Sequence, residues 1–391
     1  MHKKTRLFFF IFILCQIIAI SNNACTGSKE TSKDPYIIKK IGNPGATQFP
    51  NKDSLDRQAR QIYDLCLYEG RIYVGTGDMI NNRGPIKVWS FDNALDPVVF
   101  ADEFTVDEEQ VEIFRTYDST LFIPGMDARE SWDFGNYYFK ANSTWTKRRT
   151  IPYAVHVKDI AKYNNKLCVL DMGGALAMGG ANGSRLMVSD DNGLTWSMIT
   201  NQFIGEQYYT AFYNLLPFKE FLIFCGIVQD GPDFEHYYGS FVFRYSEADN
   251  MLTNLTIPFT PKYKYQNVLL GYGTDESSEG LAILADLDGK VNVIDQLKNR
   301  DCVDVVARDN RCYALTLDKP TDSTSRYTAK IYSSGDLTNW TELAQFTLSA
   351  RPHCLEMLDG YFFIGCDSNY DAANKAYIDD DSGSIWKIRV N

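Results

Sequence analysis

Apolar positions along this chain come in short alternating runs, each closed by a tight polar turn, and the unit recurs seven times. Ile62-Tyr63-Asp64-Leu65-Cys66 passes through Glu69-Gly70 into Arg71-Ile72-Tyr73-Val74-Gly75. Val157-Lys158-Asp159-Ile160-Ala161 leads into Lys166-Leu167-Cys168-Val169-Leu170, and Leu355-Glu356-Met357 passes through Asp359-Gly360 into Tyr361-Phe362-Phe363-Ile364-Gly365. Fainter copies centre near Asp118, Lys219, Gly273 and Asp309. Alternation of this kind predicts half-buried strands, and a short polar turn between two of them predicts a hairpin.

Repeats of roughly 40 to 50 residues, each holding several short strands, predict an all-β fold, a β-propeller. Repeat three gives the clearest strand map, lettered A to D from the inside out. A runs from Val155 to Lys162, B from Lys166 to Met172, C from Ser184 to Ser189 and D from Thr195 to Thr200. On this template blade one covers 58–106, blade two 108–152, blade three 153–202, blade four 207–258, blade five 262–297 and blade six 300–348. Blade five is short, with a doubtful outer strand. The last repeat supplies His353 to Leu358, Tyr361 to Cys366 and Ser384 to Val390, then stops one strand short. An orphan strand, Pro35 to Lys40, precedes the first repeat, and its pairing with the last blade closes the ring and hides both edges. A seven-bladed propeller over 35–391 is the expectation, with six blades as the alternative.

Composition narrows the class. Hydrophobic residues make up 45% and charged residues 23% of 391, so the bulk of the chain folds around a core. A net charge of −11 argues against nucleic acid or an anionic lipid surface as partner. The first 25 residues read as a targeting signal, with a basic head of His2, Lys3, Lys4 and Arg6 before the apolar stretch Leu7 to Ile20. That stretch is too short for a comfortable membrane span. Ala24-Cys25 followed by a polar tail over 26–34 resembles a bacterial lipoprotein signal with lipidation at Cys25 and a flexible tether, although Asn22 stands where that motif usually carries Leu. The alternative is plain secretion with cleavage at Ala24. Either way the domain is expected outside the cytoplasm, with a lipid anchor as its one contact with membrane. Seven cysteines follow Cys25, within strands and without CxxC or Cys/His spacing. They read as small buried hydrophobes, with Cys354 and Cys366 the one pair to test as a disulfide.

Between strands C and D of repeat three, Ser189-Asp190-Asp191-Asn192-Gly193-Leu194-Thr195-Trp196 matches the Asp-box pattern S-x-D-x-G-x-T-W. In such a turn the Ser and Asp side chains bond the turn's own backbone, Gly takes a positive φ and Trp packs on the blade. Ser333 to Trp340 is a degraded copy, and Asn142-Ser143-Thr144-Trp145 keeps only the Trp. With its repeats, the chain resembles the sialidase-like Asp-box (BNR repeat) propeller superfamily over nearly all of its mature length. The enzymes of that superfamily hold a substrate carboxylate with three arginines, the first in an Arg-Ile-Pro motif, and use an Asp acid/base with a Tyr–Glu pair. No such motif occurs here. Arg149-Thr150-Ile151-Pro152 differs from it and lies in another blade, and Tyr208 and Tyr209 beside Glu206 imitate only part of the nucleophile pair. No catalytic residue is therefore carried over.

Candidate chemistry lies on the face where the B–C and D–A loops gather. Acids recur at the B-strand ends (Asp78, Asp127, Asp171, Asp230, Asp318, Asp367) and before the A–B turns (Asp64, Asp159, Asp304, with Asn214 in the equivalent place). Repeated positions do repeated work, so these read first as strand caps. Symmetry breaks most in blade two, in Pro124-Gly125-Met126-Asp127-Ala128-Arg129-Glu130-Ser131-Trp132-Asp133-Phe134-Gly135 and in the D–A connection Lys147 to His156. Asp127, Arg129, Glu130, Trp132, Arg149 and His156 form the candidate ligand pocket, since a flat aromatic ringed by Arg and carboxylates suits sugars and their charged substituents. The competing reading is an Arg–carboxylate pair that holds a long loop, with Trp132 as its plug. Asp127 and Glu130 form a hydrolytic pair only if their separation permits. Asp230, His236 and His353 are secondary candidates, a buried structural role being the alternative for His353. Asp379-Asp380-Asp381 lacks the spacing of a dedicated Ca²⁺ loop and reads as a solvated turn; no cofactor or metal is expected. Two functions follow: an envelope propeller that binds, and in one form hydrolyses, a glycan, or a non-catalytic propeller that binds an envelope protein. A concave pocket holding Trp132 and Arg129 beside the channel favours the first, and a flat, filled face the second.

Overall fold

The computed structural model describes residues 36–51, 53–78, 81–173, 184–200, 208–230, 236–255, 257–273, 280–318, 327–367, 370–371, 376–377 and 381–390. The targeting segment, Cys25 and the tether lie outside these residues, as do Glu206, Asp379 and Asp380. The side chains of Tyr208, Tyr209, Asp230 and His236 are likewise outside what is described.

Seven four-stranded antiparallel sheets make seven blades of a β-propeller. Six are consecutive meanders, the first running Ile62–Tyr68, Arg71–Thr76, Ile86–Phe91 and Ala101–Val106. The seventh takes Pro352–Leu358, Tyr361–Cys366 and Ile385–Val390 from the end of the chain, and Tyr36–Gly42 from its beginning as the outermost strand. Tyr36 faces Val390 and Lys40 faces Trp386 in that closure, so the missing strand and the orphan strand are one and the same. Six blades are excluded. Blade five is complete, since Val291–Lys298 forms its fourth strand. One boundary shifts: Thr144–Pro152 is strand D of blade two, so Lys147 and Arg149 sit on a strand and not in a connection. A second correction concerns Cys354 and Cys366, whose thiols are free.

The A–B turns form where the sequence supplies short polar pairs. Glu69-Gly70, Asp118-Ser119, Asn164-Asn165, Asp309-Asn310 and Asp359-Gly360 all take positive φ at both positions. Such turns match the twist of the flanking strands. The apolar residues they align sort into seven clusters, one at each blade-to-blade interface. The core of this protein is therefore a ring of contacts between neighbouring sheets.

The acids before the A–B turns lace that ring together. Each of Asp64, Asp159 and Asp304 sits at a bulge of its innermost strand. There it accepts the backbone N–H of the next blade: Phe114, Leu215 and Leu355, each at 2.7 Å. Glu356 closes the circle by accepting from Leu67 of blade one at 2.8 Å. Asn214 donates to the carbonyl of Pro261 at 3.0 Å, Lys262 to that of Val303 at 2.9 Å, and Arg115 pairs bidentately with Asp159. All seven junctions thus carry a polar tie beside their apolar cluster. These acids are scaffold.

Candidate functional site

The strand-end acids divide in the folded chain. Asp171 is fully buried and gripped by Arg185 through two bonds of 2.8 and 3.0 Å. Asp318 is paired with Arg300 and Lys330, and Asp367 with Arg351 and His353. Asp78 accepts from the backbone and side chain of Asn81. Asp127 departs from the set: its Oδ1 is buried without a hydrogen-bond partner among the described residues, and its backbone stands at φ +62°. A non-glycine residue at such φ is held there by its surroundings.

Those surroundings are a short ladder that crosses from blade one to blade three. Antiparallel bridges link Gly77 to Gln110, Gln110 to Met126, and Met126 to His156. The N–H of Asp78 donates to Glu109, that of Glu109 to Met126, and that of Asp127 to Val155, at 2.9, 3.2 and 3.1 Å. Residues next to bridged partners share the opposite face, so Asp78, Glu109 and Asp127 stand side by side across three segments. Burial pushes the Glu109 carboxyl up to about 8, and the neighbouring Asp127 and Asp78 push it the same way. Burial also raises Asp127, against the opposing charge of Lys158. His156 is pulled down to about 4 by burial and then by Lys158, so it is a neutral imidazole at pH 7. At neutral pH Glu109 thus carries a proton beside Asp127, whose own carboxyl burial also raises.

This arrangement predicts a pH effect on stability. With a folded pKa of about 8, Glu109 holds a proton that the unfolded chain releases near the ordinary glutamate value of 4.5. Asp64, raised by burial to about 8, behaves alike. The stability contributed by that retained proton is complete below the unfolded value and is lost as pH rises through about 8. Thermal melting at pH 5, 7 and 9 is expected to show falling stability, with Glu109→Gln flattening the profile. An unchanged slope in Glu109→Gln contradicts the assignment.

The outer part of the blade-two loop has a different character. Glu130 takes Lys147 at 2.6 Å and Arg149 at 3.1 Å, while Lys147 also reaches Asp107 at 2.9 Å. Lys147 holds the Glu130 carboxyl below the usual range, so it is a fixed anion with no part as an acid beside Asp127. Arg149 donates to Ser131, and Arg129 to the Gly84 carbonyl. The loop and strand D do converge, and their charged groups satisfy one another.

Trp132 does not plug the loop. It is 56% exposed, with Phe134 at 42% and Tyr153 at 37%, and these are the exposed aromatics among the described residues. The Arg149 guanidinium lies 5.9 Å from the centre of the Phe134 ring, and the Tyr153 N–H donates to Asp133 at 2.8 Å. Tyr153 stands at φ +55°, so its place outside the blade is imposed by that tight corner. The channel cavity is walled by other residues; Trp132 and Arg129 are not among them.

His353 does line the channel, edge-on to Tyr63 at 6.0 Å and 3.6 Å from Asp367. Asp230 and His236 are opposed across strands B and C of blade four. Among the described residues no group of three or more metal-type side chains converges, and Asp381 is taken by Lys40 and Ser349. Sequence reasoning missed Glu109, whose signal is the acid run Asp107-Glu108-Glu109 at the first blade junction, and passed over Phe134 and Tyr153 inside segments it had singled out.

The turn over Ser189 to Trp196 is closed by its own side chains. Ser189 Oγ accepts from Gly193, Asp191 accepts from Leu194 and Thr195, and Trp196 donates to Thr150 of blade two at 3.1 Å. Ser334 and Asp336 repeat this pattern, Asp336 accepting from Thr338 and Asn339.

No protein-family model and no curated protein sequence matches the chain. Solved propellers do. Virginiamycin B lyase from Staphylococcus aureus superposes with a TM-score of 0.51 at 10% identity, covering 91% of this chain and 100% of that one. The β-propeller domain of the Trilobed protease from Pyrococcus furiosus gives 0.48 at 11% identity, over 78% of this chain and 91% of that one. A PL25 ulvan lyase gives 0.46 at 9%, over 89% and 93%. At such identities the likeness speaks for the fold alone.

Proposed function

We propose that the chain is a non-catalytic interaction propeller of the cell envelope that docks a partner protein on blade two. One observation carries this reading: the exposed aromatics among the described residues, Trp132, Phe134 and Tyr153, all flank one loop of one blade. Trp, Tyr and Arg are the residue types that anchor protein interfaces, and a ring of mutually satisfied charges suits the rim around such an anchor. Glu130, Lys147 and Arg149 form such a ring. Exposed aromatics that lie outside the channel cavity support docking more than enclosure of a small ligand. Placement outside the cytoplasm belongs to the proposal and rests on the basic head, the apolar stretch and Cys25.

The test is site-specific photo-crosslinking in cells, with a photoreactive phenylalanine analogue replacing Trp132 or Tyr153. Leu194 and Met251, both about half exposed on other blades, are the control positions. A discrete protein adduct from 132 and 153 alone is expected. Equal adducts from the control positions, or none from the platform, overturns the reading.

A second reading, glycan binding, is favoured by Trp132, whose exposed ring follows Ser131, the residue that Arg149 holds, and offers a flat apolar face to a sugar. Binding on a glycan array by the native protein, abolished in Trp132→Ala, would move the assignment to a glycan.

A further inference from the structure

The cavity along the axis of the ring encloses about 890 Å³ and is walled by the innermost strands of all seven blades. Most of its cations are closed by carboxylates. Arg115 meets Asp159, Arg308 meets Glu356 and Lys162 meets Asp118, each at 2.6 Å, and Lys158 lies 3.7 Å from Glu112. Two blade-five lysines on the wall, Lys262 and Lys264, have no carboxylate within ion-pair distance among the described residues. Lys262 reaches only the Val303 carbonyl, at 2.9 Å, and lies over the rings of Tyr263 and Tyr272 at 5.3 and 5.6 Å. Lys264 is exposed within the same cavity.

The acids of that wall offset them only in part. Asp304, whose oxygens accept from the amides of Val305 and Leu355 and from the Tyr263 hydroxyl, sets a single negative charge against the two lysines. Asp64, raised to about 8 by burial, carries a proton at neutral pH. One sector of a confined cavity is thus left positive in a chain whose net charge is −11. Charge held in a partly desolvated space without a partner is unfavourable, and a counter-anion relieves it. The volume falls within the range of sites for small organic ligands.

We infer that the central channel is a binding site for a small organic anion, bearing a carboxylate or a phosphate, whose charged group rests on Lys262 and Lys264. The tyrosines of the same wall, Tyr213 and Tyr263, flank the rest of the ligand. The site is separate from the aromatic platform, and this inference stands or falls independently of the docking reading.

Isothermal titration calorimetry of the purified propeller at low ionic strength tests it, with inorganic phosphate, D-glucuronate and neutral glucose as probes. The native protein is expected to bind phosphate or glucuronate and not glucose, and the two anions tell a phosphate group from a carboxylate. Lys262→Met/Lys264→Met is expected to weaken binding at least about tenfold, the scale of a lost hydrogen bond to a charged group. Lys387→Met, on the third strand of blade seven and away from the cavity wall, is expected to leave it unchanged. Should the double variant misfold, Lys264→Met alone decides, because its side chain is exposed. No binding of either anion by the native protein, or unchanged affinity in the folded lysine variant, overturns the inference.

Discussion

Asp159→Ala is expected to lower the unfolding free energy by about 3–5 kcal/mol, the scale for removing one partner of a buried ion pair. The Asp159 side chain is fully buried and holds four donors: Nε and Nη2 of Arg115, and the amides of Ile160 and Leu215. Those donors come from blades two, three and four, so one carboxylate ties two junctions of the ring. Its removal leaves a guanidinium in the channel wall without its anion and two amides without an acceptor. Urea unfolding monitored by tyrosine and tryptophan fluorescence measures the loss. Glu356→Ala frees Arg308 and the amides of Leu67 and Met357, and serves as the comparison from the last junction. A double-mutant cycle with Arg115→Ala is expected to show strong coupling, because the second truncation removes the stranded charge. A midpoint for Asp159→Ala close to that of the native protein would refute the role given to the lacing acids.

Trp132→Ala is expected to weaken partner binding by roughly 30-fold or more while leaving stability within about 0.5 kcal/mol of native. The asymmetry follows from exposure: a side chain 56% open to solvent contributes little to the fold and a great deal to any surface that covers it. Tyr153→Ala is expected to act in the same direction. Arg149→Ala acts on two things at once, since it leaves Glu130 to Lys147 alone among its cations and removes the cation from above the Phe134 ring. Affinity for the crosslinked partner, measured by biolayer interferometry, separates these effects from unfolding followed by circular dichroism. Unchanged affinity in Trp132→Ala would remove the platform from consideration.

Much of the architecture was legible in the chain because each blade writes its own local signals. Glu69-Gly70 and Asp359-Gly360 take the positive φ values that their residue types invite, and the alternation on either side sets the register. The closure was legible as an excess at one end and a shortage at the other. The site was legible only in part. The loop from Asp127 to Trp132 announced itself by departing from the repeat, and the strand D residues Lys147 and Arg149 do meet it. Which of its residues are spent on each other was not legible, because Glu130 and Lys147 are 17 positions apart and paired only by the hairpin. Nor was the row of Asp78, Glu109 and Asp127, since it forms across three segments from two blades and their junction.

By itself, then, the sequence determined the strand period, the turn conformations and the way the ring must close, while the complete fifth blade, and with it the count of seven, came from the structure. The first three depend on near neighbours, whose side-chain spacing is set by the backbone. Only the tertiary structure decided that Glu109 retains a proton, that Trp132 faces solvent, and that Lys262 and Lys264 face the channel without a carboxylate. Burial and charge balance are properties of the space between blades, summed over residues from distant parts of the chain, and no local window contains that sum.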